Sequence, residues 1–256
     1  LITLAPGDAA QSMFTASGII PTEEQLESLR DQMGLNDPFI VQYGNWLSGC
    51  LKGDFGTSFA QGRPVGEMLA KRVMPTVKLA LLSLVIMTAV AVPIGILSAT
   101  HQNKFLDYII RGGTFLGISM PNFWVGLLLL YFFGVMLHVV PVYSTSLGFD
   151  RMILPAVTLA FAMSAKYARQ VRAAILAELN RDYVYGARAR GISERAILWK
   201  HVMPNAMLPL VTMLGLSLGS LLGGTAEVEV IFSYPGLGDL AISAITTQDY
   251  PVIVGY

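Results

Sequence analysis

Hydrophobic and polar positions divide the chain into one polar stretch followed by long uncharged runs. Residues 6–74 carry eight acidic residues and five Lys or Arg. Beyond them, 79–99 runs 21 residues without a charge, 112–149 runs 38 and 201–226 runs 26. A helix crosses a hydrocarbon core of about 30 Å with ~20 apolar residues, so each run has room for a span. The stretch 152–165 is only 14 residues long before Lys166, and hydropathy alone leaves it undecided.

Charge in the connections settles that case. Segment 100–111 carries Lys104 and Arg111, and segment 166–200 carries eight Lys or Arg. Segment 141–151 has only Arg151, and 232–250 has none. Short segments rich in Lys and Arg stay in the cytoplasm, and both basic segments can do so only if two spans separate them. The stretch from Met152 must therefore cross, with Lys166 and Arg169 snorkelling toward cytoplasmic headgroups. The expected spans are 75–99, 113–140, 152–173 and 205–230. Residues 1–5 read as the end of an earlier span, 251–256 as the start of another, and 6–74 as an external polar segment. Trp124 and Tyr131 are candidate interface anchors or packing residues.

Composition agrees with a membrane protein. The chain is 54% hydrophobic and 13% charged, whereas soluble domains carry about 25% charged residues. The net charge of zero says nothing about partners, and no nucleic-acid partner is expected. Cys50 is the single cysteine, which excludes an intrachain disulfide and a multi-cysteine metal site.

Within the polar stretch, Thr22 and Gln25 predict a capping box, and Gly34 closes that helix after Met33. Two short apolar-polar stretches follow at 43–51 and 64–72, and between them Gly53-Asp54-Phe55-Gly56 predicts a turn. In the last complete span, Gly215, Gly219 and Gly223 form a small-residue row on one helix face. Such rows let helix backbones approach closely in lipid, and tight packing is their expected role ahead of lining a solute path.

Residues 180–205 are longer than a connector between spans requires. Asn180 is a candidate N-cap with Asp182 in the first turn, where a negative charge suits the helix dipole. Gly191 is a candidate stop at positive φ, and Ser193 with Glu194 starts a second short helix. Tyr183, Val184, Tyr185 and Ile192 interleave with the basic residues. Two readings stand here: a basic loop that only orients the protein against anionic lipid, and a docking surface.

A resemblance separates them. The run Asp182, Tyr183, Val184, Tyr185, Gly186, Ala187, Arg188, Ala189, Arg190, Gly191 resembles the cytoplasmic signature loop of binding-protein-dependent ABC permeases. Gly191 falls on the signature glycine, Ala187 on its second alanine, and Met203-Pro204 on the closing pair, whereas Tyr185, Gly186 and His201 depart from it. The form is similar to the dipeptide, oligopeptide and nickel branch. So are Leu4-Ala5-Pro6-Gly7-Asp8, Met33-Gly34-Leu35-Asn36-Asp37-Pro38, Gln42-Tyr43 with Trp46, and Gly53-Asp54-Phe55-Gly56-Thr57-Ser58. Farther on, Ser119-Met120-Pro121-Asn122-Phe123-Trp124, Ile231-Phe232-Ser233-Tyr234-Pro235-Gly236-Leu237-Gly238 and Asp249-Tyr250-Pro251 follow in order. Glu229 also fits the branch, while Lys78 and Glu227 depart from it.

The resemblance implies an all-α fold, the transmembrane domain of a type I ABC importer. Its core would have six spans, four of them complete here, in residues 75–256 with a coupling loop at about 174–204. It implies a permease for peptides, or for nickel and related small solutes, in the bacterial inner membrane. The implied partners are a second related permease, two ATP-binding subunits and an extracytoplasmic solute-binding protein. Residues 182–191 would transmit force, with Ala187 and Ala189 small because they enter a cleft on the ATPase. The chain has no Gly-x-x-x-x-Gly-Lys-Ser/Thr loop, so ATP and Mg belong to the partners and no cofactor is expected on this chain.

Two rival readings compete with this one. Gly215-Leu216-Ser217-Leu218-Gly219 spells a hydrolase nucleophile elbow, but a base must reach the serine, and His101, His138 and His201 fall at membrane margins. A secondary transporter or channel would carry ionisable groups near mid-span, and the expected spans place Lys78, Lys166, Glu227 and Glu229 near their ends.

Overall fold

The computed structural model describes residues 10, 11, 14, 20–32, 35–140 and 148–256. The first expected span end, the Leu4–Asp8 motif and the stop at Gly34 lie outside these. Eleven helices are present among the described residues, with a single β-bridge between Thr57 and Pro64. They are α1 (Glu23–Gln32), α2 (Phe39–Leu51), α3 (Val65–Thr100), α4 (Phe105–Ser119), α5 (Asn122–Met136) and α6 (Phe149–Leu179). Then follow α7 (Asp182–Ala189), α8 (Glu194–Gly224), α9 (Ala226–Ile231), α10 (Leu237–Thr246) and α11 (Tyr250–Gly255).

The chain divides into two compact units, one made of Leu1–Thr76 with Pro235–Tyr256 and the other of Val77–Tyr234. In the first, the capping box forms both ways: the Thr22 amide donates to Gln25 Oε1 at 3.0 Å, and the Gln25 amide donates to Thr22 Oγ1 at 3.4 Å. The predicted turn also forms, with Gly53 and Gly56 at φ +80° and +81° and the Gly56 amide donating to Asp54 Oδ1 at 2.9 Å. A small core of Val65, Met68, Leu240, Ala244 and Val252 holds this unit together. The buried carboxylate of Asp249 accepts from Ser58 Oγ at 2.5 Å, from the Phe59 amide at 3.0 Å and from the Ala60 amide at 3.4 Å. Two motifs 190 residues apart in sequence are thus one structure, in which the acid of Asp249-Tyr250-Pro251 caps the loop after Gly53–Ser58. Arg72 and Asp239 pair at 3.0 Å in the same unit.

The second unit is built around α6, which packs against α4, α5, α8 and α9. One buried cluster gathers Met87 and Ala91 of α3, Tyr167, Val171 and Ile175 of α6, and Ala206 and Leu210 of α8. The Tyr167 hydroxyl donates to the Leu210 carbonyl at 2.8 Å. A second cluster joins Leu79, Leu154, Leu159, Leu221, Val228 and Phe232. Gly95 marks where α3 meets α6. A Cβ there would lie 2.6 Å from the Val171 side chain and 2.8 Å from the Ala168 carbonyl, so only glycine fits.

Three expected boundaries shift. Helix α3 begins at Val65, so residues 65–74, read as part of the polar segment, are its first turns. Its 36 residues reach ~54 Å at 1.5 Å per residue, well beyond a ~30 Å core. The expected span 113–140 is two helices, α4 and α5, bent by 99° at Met120-Pro121. Proline lacks an amide and disfavours α-helix in the residue before it, which accounts for a break at that site. The third shift concerns the loop: Glu194–Gly224 is one continuous 31-residue helix, so Ser193 starts a long helix, not a second short one.

Helices α3 and α8 are each long and apolar enough to cross a membrane, and the bent pair α4–α5 qualifies if counted as one. Helix α6 has 31 residues, but Lys166 and Arg169 interrupt its apolar run. Large apolar side chains such as Val85, Phe115, Leu116, Leu208 and Val211 are more than half exposed. On a soluble protein so much outward apolar surface would drive association, whereas in a bilayer it is matched to its solvent.

Candidate functional site: the loop helix and its anchors

Helix α7 is short, and its ends are closed by local chemistry. Asn180, expected as its N-cap, instead ends α6; Arg181 is the N-cap, and Asp182 occupies the first turn. At the other end the Gly191 amide donates to the Arg188 carbonyl at 2.9 Å and the Ile192 amide to the Ala187 carbonyl at 3.2 Å. These two bonds with Gly191 at φ +75° make a Schellman stop, as the glycine predicted. Ser193 then caps α8, its Oγ accepting from the Ala196 amide at 3.4 Å.

The two faces of α7 differ sharply. Val184 and Ala187 are buried in the cluster that includes Ile175, Ile197 and Val202. Asp182, Tyr183, Tyr185, Gly186, Arg188, Ala189 and Arg190 are exposed. This corrects one expectation: Ala187 is small because it packs inside its own chain, and only Ala189 of the two alanines faces outward. A Cβ at Gly186 would meet nothing within 4 Å. Across the turn, Arg188 Nε and Nη2 bind Glu194 Oε1 and Oε2 at 2.6 and 3.0 Å. The hydrogen bonds to Arg188 hold the Glu194 carboxyl below its ordinary value. Tyr183 donates to Glu178 Oε2 at 2.9 Å, and desolvation pushes its phenol upward.

A second anchor was not foreseen. Asp107, fully buried on α4, accepts from Arg172 Nε and Nη2 at 2.9 and 2.8 Å, from Ser98 Oγ of α3 at 2.5 Å and from the Asn103 amide at 3.0 Å. The Arg172 bonds hold its carboxyl well below the usual carboxylate range. Sequence offered one signal, a lone acid in the basic segment 100–111, without naming its partner 65 residues on. Glu229 is buried as well, and Thr225 Oγ1 donates to its Oε1 at 3.0 Å.

The glycine row of α8 does not pack against the other described residues of this chain. Gly215, Gly219 and Gly223 are exposed, and a Cβ at any of them would meet nothing within 4 Å. Close approach falls instead to Gly95, to Gly117 beside Ala165 at 3.0 Å and to Gly126 beside Phe232 and Thr158 at 3.3 Å. Nor does Lys166 sit at a helix end. It lies two residues beyond residue 164, the midpoint of α6. Whether the chain is a secondary transporter is decided by kinship.

Kinship answers it. Residues 91–256 match the family model of the binding-protein-dependent transport system inner membrane component. The oligopeptide transport system permease AppB of Bacillus subtilis is 39% identical over 264 residues, covering 99% of this chain and 83% of that protein. The chain belongs to this family. A probable peptide ABC transporter permease of Sinorhizobium fredii is 36% identical over 260 residues, covering 99% and 82%. The glutathione transport system permease GsiC of Escherichia coli is 38% identical over 252 residues, covering 98% and 81%. The fold matches a solved amino acid ABC transporter and the inward-facing MetNI methionine transporter, each with TM-score 0.57 at 20% identity. Each match covers 73% of this chain, with 84% of the first and 87% of the second. This permease is thus a membrane subunit of an ABC importer and not an enzyme, which removes the protease reading of Ser217.

Proposed function

We propose that this permease carries peptides or peptide-like solutes such as glutathione across a bacterial inner membrane, and that α7 is its contact with the ATPase. The three relatives above are named for peptides and glutathione, none for nickel. The basic segment 100–111 and the loop 174–204 lie in the cytoplasm, and the stretch before α3 lies outside. A second related permease completes the path, two ATP-binding subunits hold ATP and Mg, and a solute-binding protein delivers cargo.

One observation carries the coupling assignment: α7 has a buried face locked into its own chain and an outward face left open at Tyr185, Gly186 and Ala189. Force on the outer face reaches α6 and α8 because Val184 and Ala187 are packed with Ile175 and Ile197. Helix α8 runs from Glu194 into the span without interruption, so a tilt at the loop is delivered along it. A ligand binding both access states equally shifts nothing, so direction must come from ATP acting on this loop.

Ala189→Glu and Gly186→Trp test the assignment while sparing the buried face. Each should insert and pair normally, yet lower ATPase copurification or the ATP turnover stimulated by loaded binding protein at least tenfold. Wild-type values of both quantities in both variants would defeat it. Ala187→Glu is the poorer probe, since it puts a charge into the chain's own core.

A further inference from the structure

Between the bend of α4–α5, the middle of α6 and the upper part of α8 lies a cleft of about 390 Å³. Its polar lining is Asn122, Lys166, Gln170, Ser217 and Ser220, drawn from three helices, set among Met and Leu side chains. No Asp or Glu lines it, and Lys166 makes no ion pair among the described residues. Along α4 and α6 a second cleft of about 690 Å³ is lined by Arg111, Arg169 and Arg172 with Tyr108 and Phe115. Arg172 is neutralised there by Asp107, which leaves the charge of Arg111 and Arg169 in excess.

An ionisable side chain in the middle of a membrane helix is costly unless it faces a partner or water. Lys166 has no carboxylate in its cleft, where the other polar side chains are hydroxyls and amides. We infer that this cleft is part of the solute's passage and receives its anionic, carboxylate-bearing portion, with Lys166 as the counter-ion. The inference rests on the permease reading above and adds a charge class to it. Asn122, at the bend, and Ser217 and Ser220, on α8, supply hydrogen bonds that replace hydration as the solute passes. The small side chain of Ser217 keeps the passage open. The arginine-lined cleft lies farther along α6, at Arg169 and Arg172.

The test uses the whole importer in liposomes, with Cys50→Ser and a single cysteine at Ser217 or Ser220. A sulfonate-bearing methanethiosulfonate reagent should react at both sites at least tenfold faster than its trimethylammonium analogue. Lys166→Glu should bring that ratio to one or below, and Lys166→Arg should restore it. Cycling with ATP and loaded binding protein should change the sulfonate rate at least threefold, because a passage opens alternately. Phosphatidylcholine alone and phosphatidylcholine with phosphatidylglycerol should give the same ratio. A sulfonate rate that rises only when the anionic lipid is removed would assign Lys166 to a headgroup and overturn the inference. So would cysteines that react with neither reagent, a ratio indifferent to Lys166→Glu, or a rate indifferent to cycling. Coupling is read separately, from ATP turnover in Ala189→Glu, so either reading can fail without the other.

Discussion

Two bidentate Arg–carboxylate pairs in the same unit do opposite kinds of work. Asp107–Arg172 joins α4 to α6, with Ser98 of α3 bonded to the same carboxylate, and its side chains are 0% and 20% exposed. Arg188–Glu194 spans the turn from α7 to α8, and its side chains are 40% and 66% exposed. The geometry is alike, but the surroundings are not. In water the charges of the outer pair are already solvated, and their meeting gains little. In the interior each charge has lost its water, so the pair is held by the cost of separating it. The inner pair ties three helices together; the outer one spans a turn.

The largest effect should follow from opening the inner pair. Asp107→Asn leaves Arg172 partly buried without its counter-charge, a loss of about 3–5 kcal/mol for pairs of this kind. Thermal unfolding of the purified importer should show it as a marked drop in midpoint, and a midpoint unchanged from wild type would show that the pair is dispensable. The pair also has a pH signature. The folded-state pKa of Asp107 is depressed below its ordinary 3.8, so its contribution is complete above that value and fades as acid lowers the pH through and beyond it. Wild type should lose stability below about pH 4, and Asp107→Asn should flatten that part of the curve.

A smaller effect is expected at the turn beneath the outer pair. Gly191→Ala forces a Cβ into φ +75° at roughly 1 kcal/mol or more. Limited trypsin digestion at Arg188 and Arg190 should accelerate severalfold, while insertion is unaffected. Equal digestion rates would mean that the turn tolerates a side chain.

The smallest effect belongs to the outer pair itself. A double-mutant cycle of Arg188→Gln with Glu194→Gln should give a coupling of at most about 1 kcal/mol. It should shrink further near 1 M salt, where the screening length is about 3 Å. A larger, salt-insensitive coupling would mean that the outer pair resembles the inner one after all.

Much of this was legible in sequence because the signals are local. The uncharged runs, the capping box at Thr22, the turn at Gly53 and the stop at Gly191 each depend on residues a few positions apart. The family motifs were equally readable, being contiguous strings. Where spacing stopped short, the cause was the same. The Gly215, Gly219 and Gly223 row has the right spacing for packing, yet spacing says only which residues share a face, not what that face meets. Ala187 and Ala189 are two residues apart and look equivalent, but a helical turn puts them on opposite sides, one in the core and one in the open.

Sequence by itself determined that this chain is a helical membrane protein, where its basic segments fall, and which family it joins. Those follow from composition and from short-range pattern, which the bilayer and the helix period read directly. Only the tertiary structure decided that Asp107 meets Arg172 and that Asp249 caps the loop at Ser58. The same holds for the 99° bend at Pro121 and for Lys166 facing one cleft with Asn122, Gln170, Ser217 and Ser220. These depend on which helices lie side by side. That is set by the summed packing of residues distant in the chain, of which Gly95 against Val171 is one contact, and no local window contains it.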